Sequence, residues 1–116
     1  MLNIDKVETV YLACGYTDLR KSTDGLVIMV QNQLKLDPFE KALFVFCNKQ
    51  MNKLKILHFD EGFWLYYYRL ESSRFKWPVT TEEALKVNIE ELSWLLKGYE
   101  IRRNSKFKPV KSSNYY

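Results

Sequence analysis

The chain has 116 residues, with 18 basic and 14 acidic side chains, one histidine and a formal net charge of +4. Hydrophobic residues make up 47% and charged residues 28%, which excludes a disordered chain and supplies material for a core. The length allows one domain that folds without disulfide or metal, and it is too short for most nucleotide-dependent enzymes or a full recombinase catalytic domain.

Val7 to Gly15 (VETVYLACG) is β-branched and aromatic and ends in glycine, the pattern of a strand. Next come Thr17 and Asp18, either of which can cap a helix start. Leu19, Leu26, Met29, Val30 and Leu34 then fall close to one helical face. Asp24-Gly25 is a weak point in that helix, since an interior glycine costs ~1 kcal/mol. A loop to Ser22 and a shorter helix after it is the alternative. Pro38 disfavours helix at Asp37 and closes the segment.

The middle of the chain predicts a run of antiparallel strands. KALFVFCN is a short apolar strand, and CNKQMNK is a polar turn. LKILHF alternates, with Leu54, Ile56 and His58 on one face and Lys55, Leu57 and Phe59 on the other. Asp60-Glu61-Gly62 is a hairpin loop, with Gly62 as the left-handed residue. FWLYYYRLE is a β-prone strand. SSRFKWP is a turn and an extended piece ended by Pro78, and VTTEEALKVN fits either a short helix or a strand. Asn88 and Glu91 form the capping box of a final helix, with an apolar stripe of Ile89, Leu92, Leu95 and Leu96, and Gly98 stops it. The expected fold is α+β: an antiparallel strand meander packed with one helix before and one after it. One domain spans 1–101. A basic, flexible tail spans 102–116.

Charge is unevenly distributed along the chain. Residues 1–40 sum to −2, residues 41–78 to +4, residues 79–101 to −3 and residues 102–116 to +5. The basic strand region also holds more than half of the aromatic residues. Cations that follow phosphates, interleaved with rings that stack on bases, suit nucleic acid. The candidate DNA-binding residues are Lys49, Lys53, Lys55, Arg69, Arg74 and Lys76, with Arg102, Arg103, Lys106 and Lys108 of the tail. The plainer alternative is that the aromatics pack across strands and the cations form a solvated face.

Other chemistries find little support. There is no CxxC, no glycine-rich phosphate loop and no GxSxG elbow. Cys14 and Cys47 sit in apolar runs and read as reduced, buried thiols, and His58 reads as a sheet residue. A metal nuclease would need three carboxylates around its ions. Asp18, Asp24 and Asp60 have the right type, but Asp18 and Asp24 are six apart and on a helix lie well off a common face. Plainer roles exist: Asp18 favours a helix dipole, and Asp24 pairs with Arg20 four residues before it. No metal or cofactor is expected. No signal-peptide pattern and no apolar run of ~20 residues occurs, so the expectation is a cytoplasmic protein away from membranes.

GYTDLRKSTDGL, DPF, LFVFCNK, LKILHFDEGFWLYYYRLE, SSRFKWP and ELSWLLKG occur in an order that resembles the small accessory proteins (TnpB or Orf2-like) of IS66-type insertion sequences. The similarity runs from about Val10 to Tyr99. The resemblance places Asp18, Arg20, Asp24, Gly25, Asp60, Gly62, Trp77 and Pro78 in family motifs, alongside Lys55, Arg69 and Arg74. It implies a non-catalytic protein that assists a separate transposase, with DNA at the element ends and the transposase as partners. A second copy of the chain is a further candidate partner. This member departs from the family where CNKQMNK replaces an arginine-rich turn and where Tyr68 replaces a basic residue, both of which weaken the positive field. Two alternatives to DNA binding remain at this level: a protein–protein module, and a small metal-dependent nuclease.

Overall fold

The computed structural model describes residues 7–101. Its elements, in order, are β1 (Thr9–Ala13), α1 (Thr23–Asn32), β2 (Ala42–Cys47), β3 (Lys53–Phe59), β4 (Phe63–Arg69), β5 (Ala84–Val87) and α2 (Ile89–Leu96). The strands form one sheet in the order β4-β3-β2-β1-β5. The β2-β3-β4 part is the expected antiparallel meander. The rest departs from it. β1 runs parallel to β2, because α1 carries the chain back to the end it started from. β5 adds antiparallel to the far side of β1. The sheet is therefore mixed, and the 79–88 segment resolves as a strand leading into α2.

α1 takes the shorter of the two helical readings. Ser22 caps it, and Gly25 falls in its first turn, where a glycine weakens little. Asp24, not Asp18, sits in that first turn near the positive end of the helix dipole. α2 begins as expected, with the Asn88–Glu91 capping box present in both directions at 2.8 and 3.0 Å. Gly98 follows the last turn in a left-handed conformation, φ 92°. At the β3–β4 hairpin the left-handed residue is Glu61, φ 63°, and not Gly62.

Each sheet face packs one helix. Alternation in β2 sends Ala42, Phe44 and Phe46 to the α1 face and Leu43, Val45 and Cys47 to the α2 face. The α1 side is filled by Leu26, Met29, Val30 and Leu34. The α2 side is filled by Leu92 and Leu95 together with Phe75 and Trp77. SSRFKWP therefore forms no strand. It is an extended strap pressed onto the α2 face. Phe75 N–H donates to the Met51 carbonyl at 2.7 Å, and the buried Trp77 indole N–H donates to the Ala13 carbonyl at 2.9 Å. Burial pushes the Cys47 thiol up to about 12, so it stays protonated at neutral pH. His58 is buried, with Nδ1 3.1 Å from the Ala42 carbonyl oxygen, a structural placement. No described helix is long and apolar enough to cross a membrane.

Candidate nucleic-acid interface

The β3–β4 hairpin assembles the densest part of the site. Its register pairs Lys53 with Arg69 and Lys55 with Tyr67. Leu54 enters the α2-side core, so the neighbouring Lys53 and Lys55 face the α1 side. Tyr67 and Arg69 share that side and are exposed. Two cations thus stand directly opposite one another across a ladder, an arrangement that destabilises a sheet. Arg69 is partly compensated by Glu71, whose carboxylate accepts from Nε at 2.9 Å. This pairing holds the Arg69 guanidinium above its ordinary value, the hydrogen bond it donates to Glu71 being the main cause. Lys53 and Lys55 make no ion pair among the described residues.

α1's N-terminal approach borders this patch. Lys55 Nζ donates to the Lys21 carbonyl at 3.2 Å, which ties the two segments together. The Lys21 stem runs over Gly25, where an added Cβ would meet Lys21 Cβ at 3.3 Å. Gly25 therefore leaves room for Lys21 rather than serving a turn. Lys49 is exposed on the β2–β3 turn. That turn is held by Asn48, whose side-chain oxygen accepts from Asn52 N–H at 3.0 Å and Lys53 N–H at 2.9 Å. Between this turn and the β1–α1 connection lies an open cleft of about 330 Å³. Tyr16, Thr17 and Asp18 line one side, and Asn48, Lys49 and Gln50 the other. The Thr17 hydroxyl there is buried and has no hydrogen-bond partner within the described residues. Lys21, Lys49, Lys53, Lys55 and Arg69 thus form a basic corner.

Arg74 and Lys76 lie elsewhere. Phe75 and Trp77 between them point into the α2-side core, so both cations project outward over the opposite face. Arg102, Arg103, Lys106 and Lys108 fall outside the described residues.

The acidic motif residues have local roles. Asp18 accepts from Arg20 Nη2 at 2.8 Å, from Nε at 3.0 Å and from the Arg20 backbone N–H at 3.0 Å. Those bonds hold its carboxyl far below the usual carboxylate range, the guanidinium contact being the main cause. Arg20 therefore pairs with Asp18 and not with Asp24, because both lie in the loop before α1 begins. Asp18 lines the cleft beside the β2–β3 turn, whereas Asp60 follows the far end of β3, so the length of that strand keeps them from sharing a metal ion. Among the described residues no group of three or more His, Cys, Asp or Glu could hold one. Trp77 and Pro78 are structural: the Pro78 carbonyl accepts from Gly15 N–H at 3.0 Å, locking the strap to β1.

Sequence reasoning missed Lys21 and Tyr16, offered Thr17 only as a helix cap, and left the aromatics around Tyr67 between base stacking and cross-strand packing. The signal for Tyr67 was present: closing the hairpin over Asp60-Glu61-Gly62 pairs Phe59 with Phe63, and counting outward pairs Lys55 with Tyr67. Nothing in the sequence tied Lys21 to Lys55, since that contact depends on how α1 crosses the sheet.

The family model for IS66 Orf2-like proteins matches residues 8–106. An uncharacterized Sinorhizobium fredii protein, y4hO, is 37% identical over 94 residues, covering 80% of this chain and 82% of its own. A second protein from the same strain, y4jC, is 35% identical over 103 residues, covering 88% and 87%. No solved structure matches.

Proposed function

The chain belongs to the IS66 Orf2-like family of insertion-sequence proteins, and we propose that it assists transposition as a non-catalytic protein that holds DNA on its basic corner. One observation carries this reading. Lys53 and Arg69 face each other across the β3–β4 ladder, a repulsion that costs stability in the free protein and is relieved by a phosphate between them. The exposed Tyr67 ring beside Lys55 adds a surface on which an unpaired base can stack. Fixed hydrogen bonds at Asn48 and from Lys55 to Lys21 set the cations in place, so little order is lost on binding. The five basic side chains of residues 102–116 add attraction that is independent of DNA sequence. The partners in this reading are the element's DNA ends and, through them, the transposase.

The test is fluorescence anisotropy of the full chain with labelled element-end DNA across a salt series. The reading expects log affinity to fall steeply with log salt, and Lys53→Ala, Lys55→Ala and Arg69→Ala each to flatten the slope by about 0.9. Absence of binding at low salt, or a slope unmoved by all three, removes the DNA role.

A further inference from the structure

We propose that the free edge of β4 pairs with β4 of a second copy of this chain, antiparallel and centred on Leu65, so that two sheets join into one. The inference is independent of the DNA reading and is tested without nucleic acid.

The two edges of the sheet differ. β5 is four residues long, and its short length limits what can add to it. β4 has seven residues, FWLYYYR, with no proline and no lysine. Trp64, Tyr67 and Tyr68 on it are 47%, 55% and 43% exposed. A long, aromatic edge of this kind is a template for another strand, and nothing in the described residues covers it.

The backbone shows which groups are free. Leu70 N–H donates to the Asn52 carbonyl at 2.8 Å, continuing the register that pairs Lys53 with Arg69. In an antiparallel ladder the inward and outward groups alternate. Even-numbered positions of β4 therefore bond to β3, and the N–H and C=O of Phe63, Leu65, Tyr67 and Arg69 point outward. Antiparallel pairing about Leu65 matches odd positions with odd positions. Leu65 meets Leu65, Phe63 meets Tyr67, and about six main-chain hydrogen bonds close.

Charge selects the partner and the register. The strand is entered through Asp60 and Glu61 and left through Arg69. Neither acidic residue makes an ion pair among the described residues. Antiparallel self-pairing brings the acidic entry of one copy to the basic exit of the other. The Leu65 register brings the turn that carries Glu61 beside Arg69 of the second copy, and it sets Tyr68 opposite Gly62, whose position is open. Moving the axis one residue to Tyr66 brings that turn toward Glu71 instead, which is repulsive. A two-fold axis through this edge keeps both α1 faces on one side, so the two basic corners share a surface.

The experiment is sedimentation velocity of the full chain over about a hundredfold concentration range, where mass action separates monomer from dimer. The wild type is expected to dimerise reversibly. Leu65→Pro removes an outward N–H that no strand of the monomer uses, so the fold should survive while the dimer weakens at least about tenfold. Glu61→Arg should weaken it as well, and Glu61→Arg combined with Arg69→Glu should restore it. Near-ultraviolet circular dichroism confirms that each variant is folded, and the charge pair keeps the test decisive if Leu65→Pro does not fold. A wild type that stays monomeric overturns the proposal, as does a monomer that instead forms a one-to-one complex with the transposase. A folded Leu65→Pro that still dimerises, or charge variants that leave the dimer unchanged, overturns it too.

Discussion

β2 and β4 are similar in composition and nearly equal in length, yet all six residues of β2 are buried and none of the seven in β4 is. ALFVFC lies in the middle of the sheet with a helix or the strap on each side. FWLYYYR lies at the edge with one face half covered. Apolar, aromatic sequence alone therefore does not tell a core strand from an interaction strand. Position in the sheet does, and position follows from the crossover through α1.

The first way to sharpen this contrast is truncation in each strand. Phe44→Ala in β2 should lower stability by about 3–5 kcal/mol, because it opens a cavity in a closed core. Trp64→Ala in β4 should cost about 1 kcal/mol or less despite the larger side chain, since 47% of it already meets water. Urea denaturation of both variants measures the difference, and equal losses would dissolve the contrast.

A second variant addresses the strap that closes the α2 face over the inner strands. Trp77→Phe keeps a ring in the core but removes the donor to the Ala13 carbonyl. The expected loss is about 1–3 kcal/mol, read from the same denaturation curves. Next in size, Asn88→Ala removes the side-chain oxygen that accepts from Glu91 N–H, one of the two hydrogen bonds of the α2 capping box, and should cost about 1 kcal/mol.

The buried strand also has a pH signature. Cys47 remains a thiol in the folded state up to about 12, whereas its ordinary value is 9.0. Above pH 9 the unfolded chain loses this proton and the folded chain keeps it. The native state then binds more protons, so stability falls as pH rises. Cys47→Ala should decline less steeply than the wild type between pH 9 and about 10.5 when melting is followed by circular dichroism.

Much of this was legible in local pattern. The β2-β3-β4 meander followed from alternation and turn residues, and α2 from Asn88, Glu91 and Gly98. The shorter α1 was visible as soon as Asp24-Gly25 was taken as a first turn. The parallel β1–β2 pairing was not, because it depends on where α1 delivers the chain and not on any residue in either strand. Gly62 drew attention as the expected left-handed residue, but that strain falls on Glu61, whose side chain gives no such signal. The basic set was partly legible: type and segment picked out Lys49, Lys53, Lys55 and Arg69 but not Lys21. The same reasoning added Arg74 and Lys76, which the buried Phe75 and Trp77 turn toward the other face.

That split between faces permits the most direct test of the DNA reading. Two double variants remove equal charge, Lys53→Ala/Arg69→Ala on the α1 face and Arg74→Ala/Lys76→Ala on the opposite face. Both are titrated with the same element-end duplex across a salt series. The basic-corner account predicts that the first variant loses affinity and flattens the salt slope by about 1.8, while the second follows the wild type. Equal losses from both, or a loss confined to Arg74 and Lys76, would contradict it.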